Sequence, residues 1–186
     1  MKAASLSIEK VEFIHVKVET NSSFEGEFSS EFKQLDFPFK GVTFRRRMSL
    51  QYDKAKPEDP KSFVFGLNVM LSEDPEDPEN VSLPYNIDVK AVVYMRYESD
   101  QLSGMERFRA IRATGYSVLY GAIREMVSNL TARAPHGMWS LPSANFNNAA
   151  NDEAGRDEEK RQELIAKKSV VVSKKPVKRV KKSTDS

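Results

Sequence analysis

The chain has 186 residues, of which 39% are hydrophobic and 10% aromatic, so one domain with a substantial core, with or without a tail, is expected. It contains no cysteine, which excludes disulfides, thiol catalysis and thiolate zinc sites. Residues 1–10 lack a continuous apolar segment, and no run approaches the ~18 apolar residues of a membrane span, so a soluble, cytoplasmic protein without membrane insertion is expected.

The net charge of +2 is distributed unevenly along the chain. Residues 167–186 contain eight lysines and arginines but a single acid, Asp185, so this segment carries +7 and the remaining residues carry −5. The sequence therefore combines an acidic body with a basic tail. From Ser169 onward, the mixture of Lys, Ser, Val and Pro predicts disorder.

Four segments in the first half of the chain predict β-strands. In the first, Leu6 and Ile8 share one phase, Val11 and Phe13 the other, and Val16 returns to the first, which predicts a bulge near Phe13. The other three alternate apolar and polar residues with the two-residue period of a strand that has one buried face. Their apolar positions are Val42, Phe44, Met48, Leu50 and Tyr52; Phe63, Phe65, Leu67, Val69 and Leu71; and Tyr85, Ile87, Val89, Ala91, Val93, Met95 and Tyr97.

The link between the first two strands is unusual in length and composition. A connection of 19 residues is typically functional or disordered, and its aromatic content argues against simple disorder. The rings either fill the edge of the core or line an exposed apolar groove, and the sequence leaves both interpretations open. The link holds five of the eleven phenylalanines, namely Phe24, Phe28, Phe32, Phe37 and Phe39.

Helical periodicity follows from about Ser103. Because Gly115 interrupts it, we expect a short helix, a break near Thr114 and Gly115, and then a long helix. The segment 134–137, Ala-Pro-His-Gly, ends the long helix, since proline disfavours helical backbone at the residue before it. The apolar stripe of the long helix comprises Val118, Leu119, Ala122, Ile123, Met126, Val127 and Leu130.

The rest of the chain completes an α+β prediction. Residues 138–146 are apolar at alternate positions and belong to no regular element, and residues 147–168 predict a charged helix that is solvated or needs a partner. We therefore predict a four-stranded antiparallel sheet packed by a long C-terminal helix, with a second charged helix and a disordered tail. The domain spans residues 1–168 and the basic tail 169–186.

The sequence offers little for catalysis. His15 and His136 are the only histidines, neither has metal-ligand spacing, and there is no dinucleotide-binding, Walker or nucleophile-elbow motif. We predict no enzyme activity, no catalytic residue, no metal and no cofactor. The lysine-rich tail supports an alternative function, nucleic-acid binding through phosphate contacts, although it lacks interleaved aromatics for base stacking.

Residues 116–146 contain an ordered set of short motifs. Tyr-x-x-Leu at 116–119 is followed by Ala-Ile-Arg-Glu at 122–125, a helix stop, and Leu-Pro-x-x-Asn-Phe at 141–146. This order resembles the C-terminal part of the SecB family of export chaperones. The family is also similar in element order over roughly residues 8–168, with four antiparallel strands, a long helix, an extended loop and a second helix.

The resemblance implies an ATP-independent holdase that binds unfolded polypeptide in apolar grooves and assembles as a homotetramer, a dimer of dimers. In that family the link after the first strand and the segment after the long helix line the grooves. Here the implied client contacts are Phe24, Phe28, Phe32, Phe37, Phe39, Trp139, Leu141 and Phe146. The long helices build the tetramer, and the implied interface residues are Tyr116, Leu119, Tyr120, Ile123 and Arg124.

The resemblance implies two kinds of further partner. Family members in protein export dock on the SecA motor through an acidic surface, which has no residue-by-residue match in this chain. Some relatives instead protect an antitoxin from aggregation and degradation. The sequence leaves both export and antitoxin protection as expectations.

Overall fold

The computed structural model describes residues 5–25, 42–74, 76 and 82–173. The described chain has an α+β fold, as predicted, with one antiparallel sheet and a long helix packed on it. The elements in chain order are β1 (Leu6–Thr20), β2 (Val42–Tyr52), β3 (Ser62–Glu73), β4 (Tyr85–Tyr97), α1 (Gly104–Thr131) and α2 (Asn147–Ser173).

Two predicted features lie outside the described residues. The first is most of the phenylalanine-rich link, including Phe28, Phe32, Phe37 and Phe39. The second is the part of the predicted basic tail, 169–186, that follows Ser173, so nucleic-acid binding through it stays a prediction. Because α2 continues to Ser173, the disorder predicted from Ser169 is wrong for residues 169–173.

The sheet has the strand order β1-β4-β3-β2, so the first strand pairs with the last. The two central strands bury one face, where Phe65 lies opposite Val93 and Leu67 opposite Ala91, and all four side chains are at most 1% exposed. Every second side chain of a strand points to the same face, which is why the predicted alternation becomes a continuous core layer. The outer face of the sheet is mixed, with Lys90 and Arg96 exposed and Val64, Met70 and Val92 half-buried.

β1 is an edge strand with two bulges. Its register with β4 shifts between Ile8 and Lys10 and again between Phe13 and His15, and the second shift is the bulge predicted near Phe13. Phe13 and Val18 are an odd number of positions apart, yet both pack against the core, because a bulge inserts one residue.

α1 is continuous from Gly104 to Thr131, so the predicted break near Thr114 and Gly115 is wrong. A Cβ atom at Gly115 would lie 2.5 Å from Cδ1 of Phe65 on β3. Glycine at this position therefore allows the helix to approach the sheet closely, and its effect on helix propensity does not end the helix. Gly115 therefore lowers the helix propensity of α1 but permits its close packing on β3.

α2 packs along α1, so the prediction that it is solvated or needs a partner is wrong for its first half. Ala150 and Ala154 are at most 1% exposed, and small side chains let the two helix axes come close. Glu153 and Asp157 are also buried, which apolar periodicity does not detect. Within the described residues, neither α1 nor α2 combines the length and apolar character required to cross a membrane.

Replacing Gly115 with alanine tests the close contact between α1 and β3. Alanine is the better helix former, but its Cβ would overlap the Phe65 ring. We expect Gly115→Ala to lower the free energy of unfolding by about 1–3 kcal/mol, the usual range for overpacking, as measured by urea denaturation.

The control is Gly155→Ala in α2, where the nearest atom to the added Cβ is Met105 Cε at 4.0 Å. This change should leave stability unchanged or raise it by up to about 1 kcal/mol. Equal effects of the two substitutions would show that contact with Phe65 is not what requires a glycine.

Candidate polypeptide-binding surface

The start of the link meets the turn after α1 around the side chain of Tyr85. The Tyr85 hydroxyl accepts a hydrogen bond from the His136 backbone N–H at 3.1 Å and donates one to the Gly137 carbonyl at 2.8 Å. His136 Nε2 lies 3.0 Å from the Asn21 carbonyl, and it donates the proton because a carbonyl only accepts. The Phe24 ring packs edge-on against the His136 imidazole at 5.1 Å between centroids. Two segments far apart in sequence therefore form one surface.

Residues 138–146, which we call the strap, follow this turn. Gly137 enters the strap with a φ of 78°, which glycine adopts without the strain that other residues would suffer. The strap contains no helix or strand, as predicted, and it is apolar at alternate positions.

Side chains of α1 satisfy the backbone of the strap. The Thr131 hydroxyl accepts the Trp139 N–H at 2.8 Å, Arg124 Nε donates to the Leu141 carbonyl at 2.8 Å, and the Tyr120 hydroxyl donates to the Pro142 carbonyl at 2.6 Å. Burial raises the pKa of Tyr120 to about 12, so this donor keeps its proton at neutral pH. An irregular segment is thereby fixed along the helix.

Phe146 closes the strap onto the body. Its ring stacks on Tyr116, with centroids 4.5 Å apart and planes 7° from parallel, and meets Tyr120 edge-on at 5.1 Å. The Arg46 guanidinium of β2 lies 5.6 Å from the Phe146 centroid, which adds a cation–π contact. α2 begins at the next residue, so Phe146 couples the strap to both helices.

The structure divides the predicted client contacts into two groups. Phe24 and Phe146 are half-buried and keep part of each ring accessible. Trp139 is 7% exposed and Leu141 0%, so these two side chains are covered within the chain, and their contact with clients stays a prediction. They anchor the strap to the core.

The predicted interface residues lie mostly inside a single chain. Tyr116, Leu119 and Ile123 are 0% exposed and Tyr120 is 5% exposed, so their side chains are covered within the chain. The strap and α2 cover this face of α1, and the interface role of these residues stays a prediction. Arg124 is half-buried and binds the strap.

A buried ion cluster fixes α2 on α1. Arg112 donates from Nε to Asp157 Oδ2 at 2.5 Å and also binds Glu153 through Nη1. The Tyr116 hydroxyl donates to Glu153 at 2.8 Å and accepts from Arg46 at the same distance. Burial and the hydrogen bond to Glu153 raise the pKa of Tyr116 well above its usual value. Burial alone would lower the pKa of Arg112, but Asp157 and Glu153 raise it, so the guanidinium stays charged.

Two exposed apolar side chains flank the contact between the helix and the strap. Leu130, 44% exposed, precedes Thr131, and Met138, 51% exposed, precedes its partner Trp139. Phe24 packs on His136, two residues before Met138. We call Phe24, Leu130 and Met138 the end patch. The helical stripe predicts burial for Leu130, and only the tertiary structure shows that the last turn of α1 leaves it uncovered.

A cleft of about 490 Å³ lies between α1 and the end of the strap. On the helix side it is lined by Ala113, Ser117 and Gly121, spaced one turn apart, and on the strap side by Asn145 and Phe146. A Cβ at Gly121 would meet no atom within 4 Å. This strip of α1 faces solvent, and it contains none of the five residues that the resemblance implies for the interface.

Among the described residues, no three His, Asp or Glu side chains are grouped so that they would hold a metal ion. His15 lies on the outer face of the sheet, 3.7 Å from Asp88, and half of its side chain is exposed. His136 serves the contact with the link. Both histidines therefore contact other residues of the fold.

No protein-family model matches the chain, and no curated protein matches it. Ten chains of solved structures are similar to it, including the following two. One is the Mycobacterium tuberculosis SecB-like chaperone Rv1957 in complex with a ChAD peptide from the HigA1 antitoxin, with 19% identity, a TM-score of 0.47, and coverage of 75% of this chain and 91% of that one. The other is a protein of unknown function from Streptococcus agalactiae, with 10% identity, a TM-score of 0.42, and coverage of 76% and 100%.

Removing the cation from the buried cluster tests how α2 is held. Arg112→Met would leave Glu153 and Asp157 buried without their guanidinium, and breaking a buried ion pair in this way costs about 3–5 kcal/mol. We expect a loss of that size in the free energy of unfolding, measured by urea denaturation. Adding Glu153→Gln and Asp157→Asn should restore part of it, because no buried charge is then unpaired.

The matched control is Arg109→Met, one turn earlier on the exposed side of α1. Its effect should stay within about 0.5 kcal/mol, as for most surface changes. A loss below about 1 kcal/mol for Arg112→Met would mean that water solvates the two carboxylates and that the cluster does not seat α2.

Proposed function

We propose that the chain is an ATP-independent holdase chaperone that binds unfolded or non-native polypeptides at apolar surfaces. The observation that carries this proposal is the end patch, in which Leu130 and Met138 are 44% and 51% exposed beside the hydrogen-bonded pair Thr131 and Trp139, and Phe24 packs on His136, two residues before Met138. Apolar side chains left accessible together mark a binding surface more often than isolated ones do. The phenylalanine-rich link continues from Phe24, so the proposed surface extends along Phe28, Phe32, Phe37 and Phe39.

The hydrogen-bonded frame beneath the end patch suits this role. Tyr85, His136 and Thr131 fix the backbone, so that ordering the site on binding costs little conformational entropy. Methionine adapts its shape to different apolar partners, which favours low sequence selectivity. Affinity for unfolded chains over native ones would let the protein compete with folding and aggregation of a client.

Phe146 supplies a second apolar contact at the other end of the strap. Its ring is held between Tyr116, Tyr120 and Arg46 and is half-buried. Two weak sites on one chain favour long, extended clients, because contacts along one polypeptide combine by avidity. We propose that these clients are export substrates, delivered to SecA, or an antitoxin, the two uses that the SecB-like resemblance implies.

The holdase proposal is tested by diluting a chemically denatured enzyme into buffer and following aggregation by light scattering. We expect the wild-type protein to suppress scattering at near-stoichiometric concentration without ATP. Leu130→Ser combined with Met138→Ser should weaken suppression several-fold, because both side chains are exposed. Stability should change by no more than about 0.5 kcal/mol per site, as for other exposed positions.

Met105→Ser is the matched control, since Met105 is 47% exposed at the opposite end of α1. This variant should suppress aggregation as well as the wild type does. No suppression by the wild type at several-fold excess would reject the holdase proposal. Equal weakening by Met105→Ser and by the double variant Leu130→Ser, Met138→Ser would instead place client binding away from the end patch.

We further propose that the protein forms a homotetramer, a dimer of dimers, through the solvent-facing strip Ala113, Ser117 and Gly121 of α1. Glycine inside a helix costs about 1 kcal/mol relative to alanine, and no described residue packs against Gly121 in a way that requires it. Close approach of a second helix to this strip would explain the small residues. Several client sites in one assembly would then add to avidity.

Assembly is tested by light scattering coupled to size-exclusion chromatography. We expect about four times the 21.1 kDa chain mass for the wild type and a smaller species for Ser117→Trp, whose indole blocks close helix packing. Glu159→Trp, on an exposed position of α2 outside this strip, should remain tetrameric. A monomeric wild type at micromolar concentration would contradict the proposed assembly. Client binding would still be decided by the aggregation assay.

A further inference from the structure

The two edges of the sheet differ in regularity. β1 carries two register shifts, and bulges of this kind disrupt pairing with a further strand. β2 pairs with β3 without any shift from Val42 opposite Glu73 to Tyr52 opposite Phe63. On its other side, β2 pairs with no strand among residues 5–25, 42–74, 76 and 82–173. β2 therefore offers eleven residues of regular free edge.

The two edges also differ in charge on the outer face. On β1, Lys10 pairs with Glu12 within the strand, and Lys17 pairs with Glu19 at 3.0 Å. The outer face of β2 has cations and neutral residues but no acid, with the sequence Thr43, Arg45, Arg47, Ser49 and Gln51 at alternate positions.

Arg45 and Arg47 are exposed, and neither forms an ion pair with any residue that the structure describes. They lie two positions apart on one face, which places their Cα atoms roughly 6–7 Å apart. Like charges this close repel each other. An acidic side chain on a neighbouring strand would relieve that repulsion.

The opposite face of the same edge is apolar at one end. Met48 lies opposite Leu67 on the core side of the sheet and is 36% exposed, and Leu50 on the same side is half-buried. Arg46 precedes them on this face, but its guanidinium binds Tyr116 and Glu153 inside the chain. A strand added beside this end of β2 would therefore meet Met48 and Leu50 on one face and two arginines on the other.

We propose that the free edge of β2 binds an extended client segment as a fifth strand, in which apolar residues alternate with aspartate or glutamate. Arg45 and Arg47 select the acidic positions, and Met48 and Leu50 receive the apolar ones. This inference rests on the proposed holdase function and names the client chemistry that one surface prefers. A polypeptide fits better than a nucleic acid, because only a polypeptide supplies both a backbone for strand pairing and alternating side chains.

Two labelled peptides test the charge preference by fluorescence anisotropy. One alternates valine with glutamate, and its twin carries lysine in place of glutamate. The wild-type protein should bind the glutamate peptide about tenfold more tightly, the combined effect of two opposite-charge cross-strand pairs. The double variant Arg45→Glu and Arg47→Glu should reverse the preference, while Lys10→Glu with Lys17→Glu on β1 should leave it unchanged.

Backbone pairing is tested on the wild-type protein, so this arm does not depend on any variant folding. In an added strand, alternate N–H groups point toward β2 and away from it. N-methylation of the glutamate peptide at positions of one parity should abolish binding, and methylation at the other parity should not. Equal effects at both parities would overturn the strand-addition geometry.

The remaining outcomes separate this inference from the holdase proposal. Equal affinity for the two peptides would overturn it even if the wild type suppresses aggregation, and the holdase proposal would then stand alone. Competition by a single-stranded oligonucleotide that is lost in the Arg45→Glu, Arg47→Glu variant would reassign the edge to nucleic acid. Failure to suppress aggregation with the peptide preference intact would reject the holdase function and keep the peptide site.

Discussion

The arrangement of the C-terminal half depends on the ion pairs that the buried guanidinium of Arg112 forms with α2. This group binds Glu153 and Asp157, the two acids of α2 that reach the interior, and so fixes a helix whose apolar contacts are few. α2 in turn covers Tyr116, which stacks on Phe146 at the end of the strap. An ion cluster of this kind contributes little net stability compared with an apolar core, but it tolerates only one placement of its members.

The fixed strap determines where apolar surface remains accessible. Hydrogen bonds from α1 and the burial of Trp139 and Leu141 hold its first half, while residues 143–145 are exposed. At one end exposed Met138 follows the turn at His136, on which Phe24 packs, and at the other Phe146 borders the cleft of α1. A binding surface of this design would be rigid in its backbone and adaptable only in its side chains, which suits clients that share apolar character but no sequence.

The same chain also treats its two sheet edges differently. Bulges and in-strand ion pairs protect β1 against further pairing, a common device in natural sheets. β2 lacks both devices and presents Arg45 and Arg47 without acidic partners among the described residues. An open regular edge promotes aggregation. A protein that binds no added strand would therefore gain from protecting β2 in the way that β1 is protected.

The sequence by itself determined the strands, because the alternation from Phe63 to Leu71 and from Tyr85 to Tyr97 has only one register that buries all of its apolar residues. It also determined the turn at Gly137 and the irregular strap. It did not show that Gly115 packs on β3 or that Tyr116 is buried, since a glycine required by the nearby Phe65 ring and a tyrosine covered by another helix have no local signature. Burial of Glu153 and Asp157 was decided by the tertiary structure alone, because periodicity detects apolar faces, whereas a charge becomes buried only when its partner arrives from elsewhere in the chain.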